Sequence, residues 1–464
     1  MRRVHPTRGG KECQVIEVLH LWILKFTKPF AARGAKPPTR KVKPTNSRRK
    51  KPARQAAREA TPSPPIVSTC AKSGAGEASL KAETSDGQRE RARARQMNIL
   101  YGVNGEGMGH AIRSAVIIWH LKMLGHKVVA TSSGKAAHLL SRECEVIRIP
   151  SLLLAYDDAG INYQKTAWLN IRRFASLHVQ AIKALDIGTA LFRPDVVITD
   201  FEHFTYFYGR RRGIPVVSID NQHAISRCKL AKEAVSSDPV AFRVAKLVTE
   251  LIMPRCAHYI VTTFFNAPLL DKYKYGNTTT VPAVLRPSFI GVGDTTSHSG
   301  PIVVYQRQFG SVPHAGNEEQ LCWILNSAPG QRFIVYGRGI RRSCSSNIVF
   351  KDFNSSEIVR DLILAKAVIC NGGMTLISEA LHLGKPVLSI PIQGQFEQML
   401  NAAYVEILKC GRQAPSLNVR VLNEFIADIP DHTNQCRLLP KQNDNTILFA
   451  VLEGLLPNAR SRVT

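Results

Sequence analysis

From Met97 onward the chain alternates short runs of β-branched and aliphatic residues with longer runs in which apolar residues recur every three or four positions. "MNILYGV", "HKVVATSS", "CEVIRIP", "PDVVITD", "IPVVSID" and "AHYIVTT" read as buried strands, and stretches such as 168–185 between them read as helices. A continuously apolar strand is covered on both faces, and intervening helices supply that cover, so the alternation points to parallel βαβ units. A segment rich in Pro, Gly, Ser and Thr, "VPAVLRPSFIGVGDTTSHSG", interrupts it. The pattern then restarts with "PIVVYQ", "RFIVYG", "NIVFKDF", "AVICNGG" and "KPVLSIP". The expected fold is α/β, with two Rossmann-like parallel-sheet domains facing a cleft. The first spans 97–285 and the second 301–457, joined by a linker over 286–300 and followed by a tail over 458–464. The last helical run, Thr446 to Leu456, is expected to pack back across the domain junction.

Residues 1–96 have another texture. The formal net charge is +27, and over half of it lies here, with 23 Lys and Arg against 7 acidic residues. "AKPPTRKVKPTNSRRKKPARQ" cannot bury enough apolar surface to offset its ordering entropy, so a mostly disordered basic leader is expected. It reads either as a tail for nucleic acid or an anionic membrane, or as a dispensable leader or misassigned start. The clean strand opening at Met97 favours the second reading. The ten cysteines form no CxxC pair and no zinc-finger spacing, which predicts free thiols in a reducing compartment. The apolar stretch from Val15 to Phe26 contains Glu17, His20 and Lys25 and is too short to span a bilayer. A cytoplasmic location is expected, with peripheral contact at the inner membrane face left open by the basic charge.

Two loops carry the chemistry. The first is Gly102-Val-Asn-Gly105-Glu-Gly107-Met-Gly109-His110, between a strand and a helix. Glycines there let a ligand approach the backbone, and the helix start offers free N–H groups to an anion. It is not a dinucleotide fingerprint. Counted from Gly105, the third glycine falls at His110, and "VVATSSG" ends the second strand without an acidic residue for a ribose. His110 stands at the mouth of the loop, either as a proton-transfer group or as a helix-capping histidine.

The second loop, Asn371-Gly372-Gly373-Met374-Thr375, again opens a helix after a strand and suits phosphate. Glu379 falls away from the apolar face of that helix, where a carboxylate can accept two hydroxyl bonds from a ribose; the alternative is an ordinary surface glutamate. After the next strand, Gln393, Gln395, Glu397, Gln398 and Asn401 gather amides and a carboxylate suited to sugar hydroxyls. In the first half, Asp200, Glu202 and His203 follow one strand, and Asp220, Asn221, Gln222 and His223 follow another. Ligands in open parallel sheets gather at such strand ends, so either cluster can supply a general base. His110 ranks first as base, then Glu202, with Asp200 the third candidate.

The run "CNGGMTLISEALHLGKPVLSIPIQGQFEQMLNA" resembles the donor-binding segment of GT-B glycosyltransferases, above all family 28 and the UDP-glucuronosyltransferase-like group. "NGEGMGHAIRS", "DFEHF" and "SIDNQH" are similar to a poorly characterised microbial glycosyltransferase-like subgroup. The likeness covers most of 97–457 and none of the leader. It implies a GT-B fold in which Gly372, Gly373 and Thr375 meet the diphosphate of a nucleotide sugar and Glu379 holds the ribose. It implies that Phe353 flanks the base, that Glu397 and Gln398 bind the donor sugar, and that Gly105, Gly107, Gly109 and His110 face the reacting end; Gln395 is expected beside the donor sugar, and Asn221 and His223, at their strand end, on the acceptor side. "VVYQRQFGS" departs from the glycine-lined turn common in family 28.

The expected activity is transfer of a hexosyl group from a UDP-linked sugar to a hydroxyl of a glycan, lipid or small metabolite. By the resemblance it inverts the anomeric centre and needs no metal, and no cofactor is expected beyond the nucleotide sugar as co-substrate. The alternatives are a UDP-sugar epimerase on the same fold, a nucleotide-sugar sensor without turnover, and a nucleic-acid-binding protein using the leader, which the folded body does not favour. A chain shortened to begin at Met97 is expected to keep its melting temperature and its donor binding; a marked loss of stability would make the leader structural.

Overall fold

The computed structural model describes residues 96–456 apart from 153–154, 158–159, 162, 237, 293–294, 296–298, 306–317, 338–344 and 353–354. The first sheet is built from β1 (Asn98–Val103), β2 (Lys127–Ser132), β3 (Glu145–Arg148), β6 (Val196–Asp200), β7 (Val216–Asp220), β8 (His258–Thr263) and β9 (Thr278–Pro282). A short antiparallel pair, β4 (Tyr156–Asp157) and β5 (Gly160–Ile161), stands apart. The sheet order is β3-β2-β1-β6-β7-β8-β9, with every pairing parallel. Strands such as β6 and β8 are buried along their whole length, as their unbroken apolar runs require when helices cover both faces.

The second sheet contains β10 (Ile302–Tyr305), β11 (Phe333–Tyr336), β12 (Ile348–Lys351), β13 (Ala367–Cys370), β14 (Val387–Ser389) and β15 (Gly411–Gln413). Its order, β12-β11-β10-β13-β14-β15, is also parallel throughout. The two-domain α/β expectation therefore holds.

In each sheet the order reverses beside the opening strand. β1 pairs with β2 on one side and β6 on the other, and β10 pairs with β11 and β13. Where successive crossovers run to opposite faces, the loops at the carboxyl ends diverge and leave a crevice. The glycine loop after β1 and Asp200 at the end of β6 flank the first crevice, with Val103 in register with Asp200. In the second sheet Tyr305 pairs with Cys370, immediately before Asn371.

The lobes are joined by packing and by chain crossing. The helix Phe396–Ile407 of the second lobe lays Phe396, Leu400, Ala403 and Tyr404 against Ile225, Cys228 and Phe265 of the first. Tyr404 stacks on Phe265 with centroids 3.6 Å apart, and its hydroxyl accepts the Ala231 N–H at 3.0 Å. The chain leaves the first lobe at Leu285 and returns at Asn445. The Asn445 side-chain amide donates to the Leu285 carbonyl at 2.8 Å and accepts the Leu285 N–H at 3.0 Å. The helix Thr446–Leu455 then buries Leu448 and Leu452 in the first lobe's core with Ile117, Leu121, Val281 and Val284.

Among the described residues no helix is long and apolar enough to cross a membrane. Cys144, Cys228, Cys256, Cys370, Cys410 and Cys436 are free thiols. Cys322 is disulfide-bonded, which departs from the expectation of free thiols throughout.

Leu452 is fully buried far along the chain from the strands it covers. Leu452→Ala is expected to cost about 2–5 kcal/mol, as for other leucine-to-alanine changes in packed cores. The check is a lowered urea midpoint, and a midpoint equal to wild type would mean that the returning helix adds no stability.

Candidate active site

The cleft between the lobes is open to solvent and contains a cavity of about 140 Å³. Its first-lobe wall is the glycine loop and the start of the helix Met108–Met123, including Gly107, Gly109, His110 and Arg113. Its second-lobe wall brings Asn371, Gly373, Thr375, Glu379, Gln395, Glu397 and Gln398 together with Arg286 and Tyr305. Gly107 precedes the first-lobe helix with φ at 94°, a conformation that side chains with a Cβ rarely adopt. Gly105 backs onto Ser133. The Gly109 carbonyl accepts the Thr375 hydroxyl at 3.3 Å, so the two loops meet.

His110 is fixed from behind. Its Nδ1 lies 2.8 Å from Oδ1 of Asp200, and Arg113 grips the same carboxylate through Nε, 2.7 Å from Oδ2, and through a second nitrogen to Oδ1. Ser114 donates to Oδ2 at 3.2 Å. Burial alone would raise the Asp200 pKa, but Arg113 and then His110 outweigh it and hold the carboxyl at about 2. Asp200 is thus ionised and can only accept. The hydrogen on Nδ1 of His110 therefore points to Asp200, so that in the neutral ring the lone pair is on Nε2. The nearby Arg113 nitrogen, 2.9 Å from Nδ1, then has no lone pair there to bond. Asp200, expected as a candidate base, thus lies behind His110 with both oxygens engaged and does not line the cleft.

Two further first-lobe candidates, Glu202 and His223, also lie off the cleft lining. Glu202 is the cap of the helix His203–Arg211. Its oxygens accept the Phe204 N–H at 3.0 Å and the Thr205 N–H at 2.6 Å, so it satisfies a helix end rather than facing the cleft. Burial raises its pKa while those bonds oppose the rise. His223 is buried under Tyr259 and bonded through Nδ1 to Asp220, away from the acceptor side. Its neighbours Asn221 and Gln222 reach Glu397, which lines the cleft: Asn221 donates to it at 3.2 Å and Gln222 at 2.7 Å.

Of the second-lobe candidates, Gly373, Thr375, Glu379, Gln395, Glu397 and Gln398 line the cleft. The helix Met374–His382 starts at Gly373 with no side-chain cap, so its first N–H groups stand free toward the cleft, as an anion requires. Gly372 has φ at 93°, and a Cβ there would lie 2.8 Å from the Gln398 carbonyl. Asn401 ties this turn down by donating to the Gly372 carbonyl at 3.0 Å. Gln398 uses its Oε1 to accept the Ile392 N–H at 3.0 Å, whereas Oε1 of Gln395 is buried without a partner among the described residues.

Glu379 is buried rather than a surface glutamate, and both its oxygens are engaged in a two-point pair with Arg286, each at 2.7 Å. Burial raises the Glu379 pKa and Arg286 draws it back. Phe353 lies outside the described residues.

Sequence reasoning missed Arg113 and Arg286. Arg113 sits one turn beyond His110 on the same helix, and that spacing was the available signal. Arg286 lies in a linker without periodicity, and only the fold brings it to Glu379. Among the described residues no group of three or more His, Cys, Asp or Glu side chains could hold a metal ion.

Comparison with known proteins gives a consistent picture. Residues 97–430 match the model of glycosyl transferase family 1. An uncharacterized glycosyltransferase from Methanosarcina acetivorans is 24% identical over 359 residues, covering 72% of this chain and 90% of that protein. The glycotransferase of kitacinnamycin has a similar fold, with a TM-score of 0.55 at 18% identity over 79% of this chain and 99% of that one. SsfS6, a glycosyltransferase of Streptomyces sp. SF2575 solved with thymidine diphosphate, gives 0.50 at 15% identity over 77% of this chain and all of its own.

The depressed Asp200 pKa has a consequence for acid stability. A carboxyl near 3.8 when unfolded and about 2 when folded contributes stability that is complete above about pH 4 and is lost as pH falls toward 2. The contribution is on the order of 2 kcal/mol. Asp200→Asn is expected to lower stability at pH 7 and to flatten the decline between about pH 4 and 2. Chemical denaturation across that range checks it, and a slope equal to wild type would contradict it.

Proposed function

The chain belongs to glycosyl transferase family 1, and from that premise we propose that it transfers a hexosyl group from a nucleoside-diphosphate sugar, UDP-linked in the first instance, to an acceptor hydroxyl with inversion at the anomeric carbon. The observation that carries this reading is the pairing of His110, oriented by Asp200, with the uncapped helix start at Gly373 across one cleft. The transfer needs a base at the acceptor oxygen and stabilisation of the departing diphosphate, and these two groups supply them.

In this reading Nε2 of His110 takes the proton of the acceptor hydroxyl. The acceptor oxygen forms a bond to the anomeric carbon as the bond from that carbon to the diphosphate oxygen breaks. The nucleoside diphosphate leaves carrying the charge, which the free N–H groups after Gly373, the hydroxyl of Thr375 and the helix dipole stabilise. Asp200 balances the imidazolium that forms. Glu397 and Gln395 hold the hydroxyls of the donor sugar, with Gln398 shaping the turn behind them. Glu379 takes the ribose once Arg286 yields part of its grip. The thymidine diphosphate bound to SsfS6 supports a nucleoside diphosphate here and makes the base an open term of the test.

His110→Ala is expected to lower kcat by about two to four orders of magnitude, the range for loss of a general base, while nucleotide affinity barely changes. A screen of UDP- and TDP-sugars against alcohol acceptors finds the reaction, and calorimetry with UDP and TDP reads the affinity. Near-normal turnover of the variant would remove His110 from the role. Turnover of a nucleotide sugar to its epimer without acceptor would replace transfer with epimerisation.

A further inference from the structure

The resting cleft holds a contact that transfer itself does not use. Gln222 follows β7 in the first lobe, is 6% exposed, and lies between His110 and Glu397. A carboxylate only accepts, so the end of the Gln222 amide turned to Glu397 is its nitrogen, 2.7 Å from Oε2. The second hydrogen of that nitrogen faces Nε2 of His110 across 3.4 Å. Since Asp200 fixes the imidazole hydrogen on Nδ1, Nε2 presents its lone pair. The position where an acceptor hydroxyl would deliver its proton is therefore taken by a protein N–H.

Nothing fits between these two nitrogens at rest. A hydroxyl oxygen bridging them, with two ordinary hydrogen bonds meeting at a roughly tetrahedral angle, needs a separation of about 4.5–5 Å. Opening that space requires the amide to retreat and to loosen its charge-assisted bond to Glu397. The resting position is nevertheless incompletely satisfied: Oε1 of Gln222 is buried and has no partner among the described residues. The amide is held by one strong bond and has an unpaired oxygen with something to gain from moving.

We infer that Gln222 is a specificity-determining gate, which covers the lone pair of His110 in the resting cleft and withdraws for an acceptor hydroxyl but not for water. An acceptor brings further groups that bind the cleft, and this remote binding energy offsets the weakened Gln222–Glu397 bond. A water molecule brings none, so the donor sugar is protected from hydrolysis while the acceptor is absent. The inference rests on the reading of His110 as the base.

The test needs no substrate. Diethylpyrocarbonate acylates a neutral imidazole at its lone pair, so the rate at which His110 is modified in the unliganded full-length protein, followed by peptide mass spectrometry, reports how well Nε2 is covered. Exposed His138 serves as the internal reference. Gln222→Ala and Gln222→Met are both expected to speed modification of His110 at least several-fold with His138 unchanged, the methionine keeping the bulk but not the N–H. Gln222→Asn, which keeps the amide but shortens its reach, is expected to fall between wild type and alanine. Wild-type rates at His110 in the alanine and methionine variants, with melting temperatures intact, would overturn the gate. Because no turnover is measured, that failure is distinct from a failure of the transfer reading, which the His110→Ala kinetics decide.

Discussion

The site depends on one buried carboxylate. Asp200 ends the strand beside β1 and receives His110, Arg113 and Ser114 from a single helix. Burying a charge is costly unless it is paired and hydrogen-bonded, and this one is saturated. The carboxylate therefore anchors the first two turns of that helix to the sheet and fixes which nitrogen of His110 faces the cleft. Arg113 extends the anchor by donating to Asn221 at 3.3 Å, joining the strand ends of β6 and β7 through one guanidinium. What the helix presents to a substrate is decided from inside the lobe.

The second constraint lies across the cleft. Glu397 belongs to the second lobe, yet both its oxygens accept from first-lobe amides, Asn221 and Gln222. Together with the Thr375–Gly109 bond and the apolar seam around Tyr404, this sets the distance between the walls. The seam is apolar, whereas the contacts made by Glu397 and Thr375 beside it are hydrogen bonds. Adhesion and recognition are thereby divided between different chemistries on the same helix, Phe396–Ile407.

Much of this was legible before the fold was known. Continuously apolar strands separated by helices force parallel sheets, and the glycine loops mark the strand ends where crevices form. Position alone thus places Gly107, His110, Gly373 and Thr375 at the cleft they line, whereas Glu397 is singled out only by the motif before it. Pairing across distance was not. "DFEHF" places Asp200 and Glu202 two residues apart, and local sequence cannot tell which turns inward to meet Arg113 and which bends back to cap its own helix. Glu379 was marked as a carboxylate facing a cleft, but its pairing with Arg286 joins positions 93 residues apart through a linker without pattern. His223 was read with Asn221 from adjacency, although Asp220 draws its ring into the core.

The returning helix bears on the order in which the molecule can be completed. The first lobe is synthesised early, but the patch formed by Ile117, Leu121, Val281 and Val284 is covered by Leu448 and Leu452, which emerge only after the whole second lobe. The second lobe has no such dependence on distant sequence, since its two cores draw mainly on residues between Phe289 and Cys436. During translation the first lobe must wait with an apolar face open while the second folds to its side, and the final helix closes a loop that contains an entire domain. The Asn445–Leu285 amide pair is where that closure is registered. Removing the helix Thr446–Leu455 would therefore damage the half of the protein made first, and a nascent chain would carry that apolar face open until Leu452 has emerged.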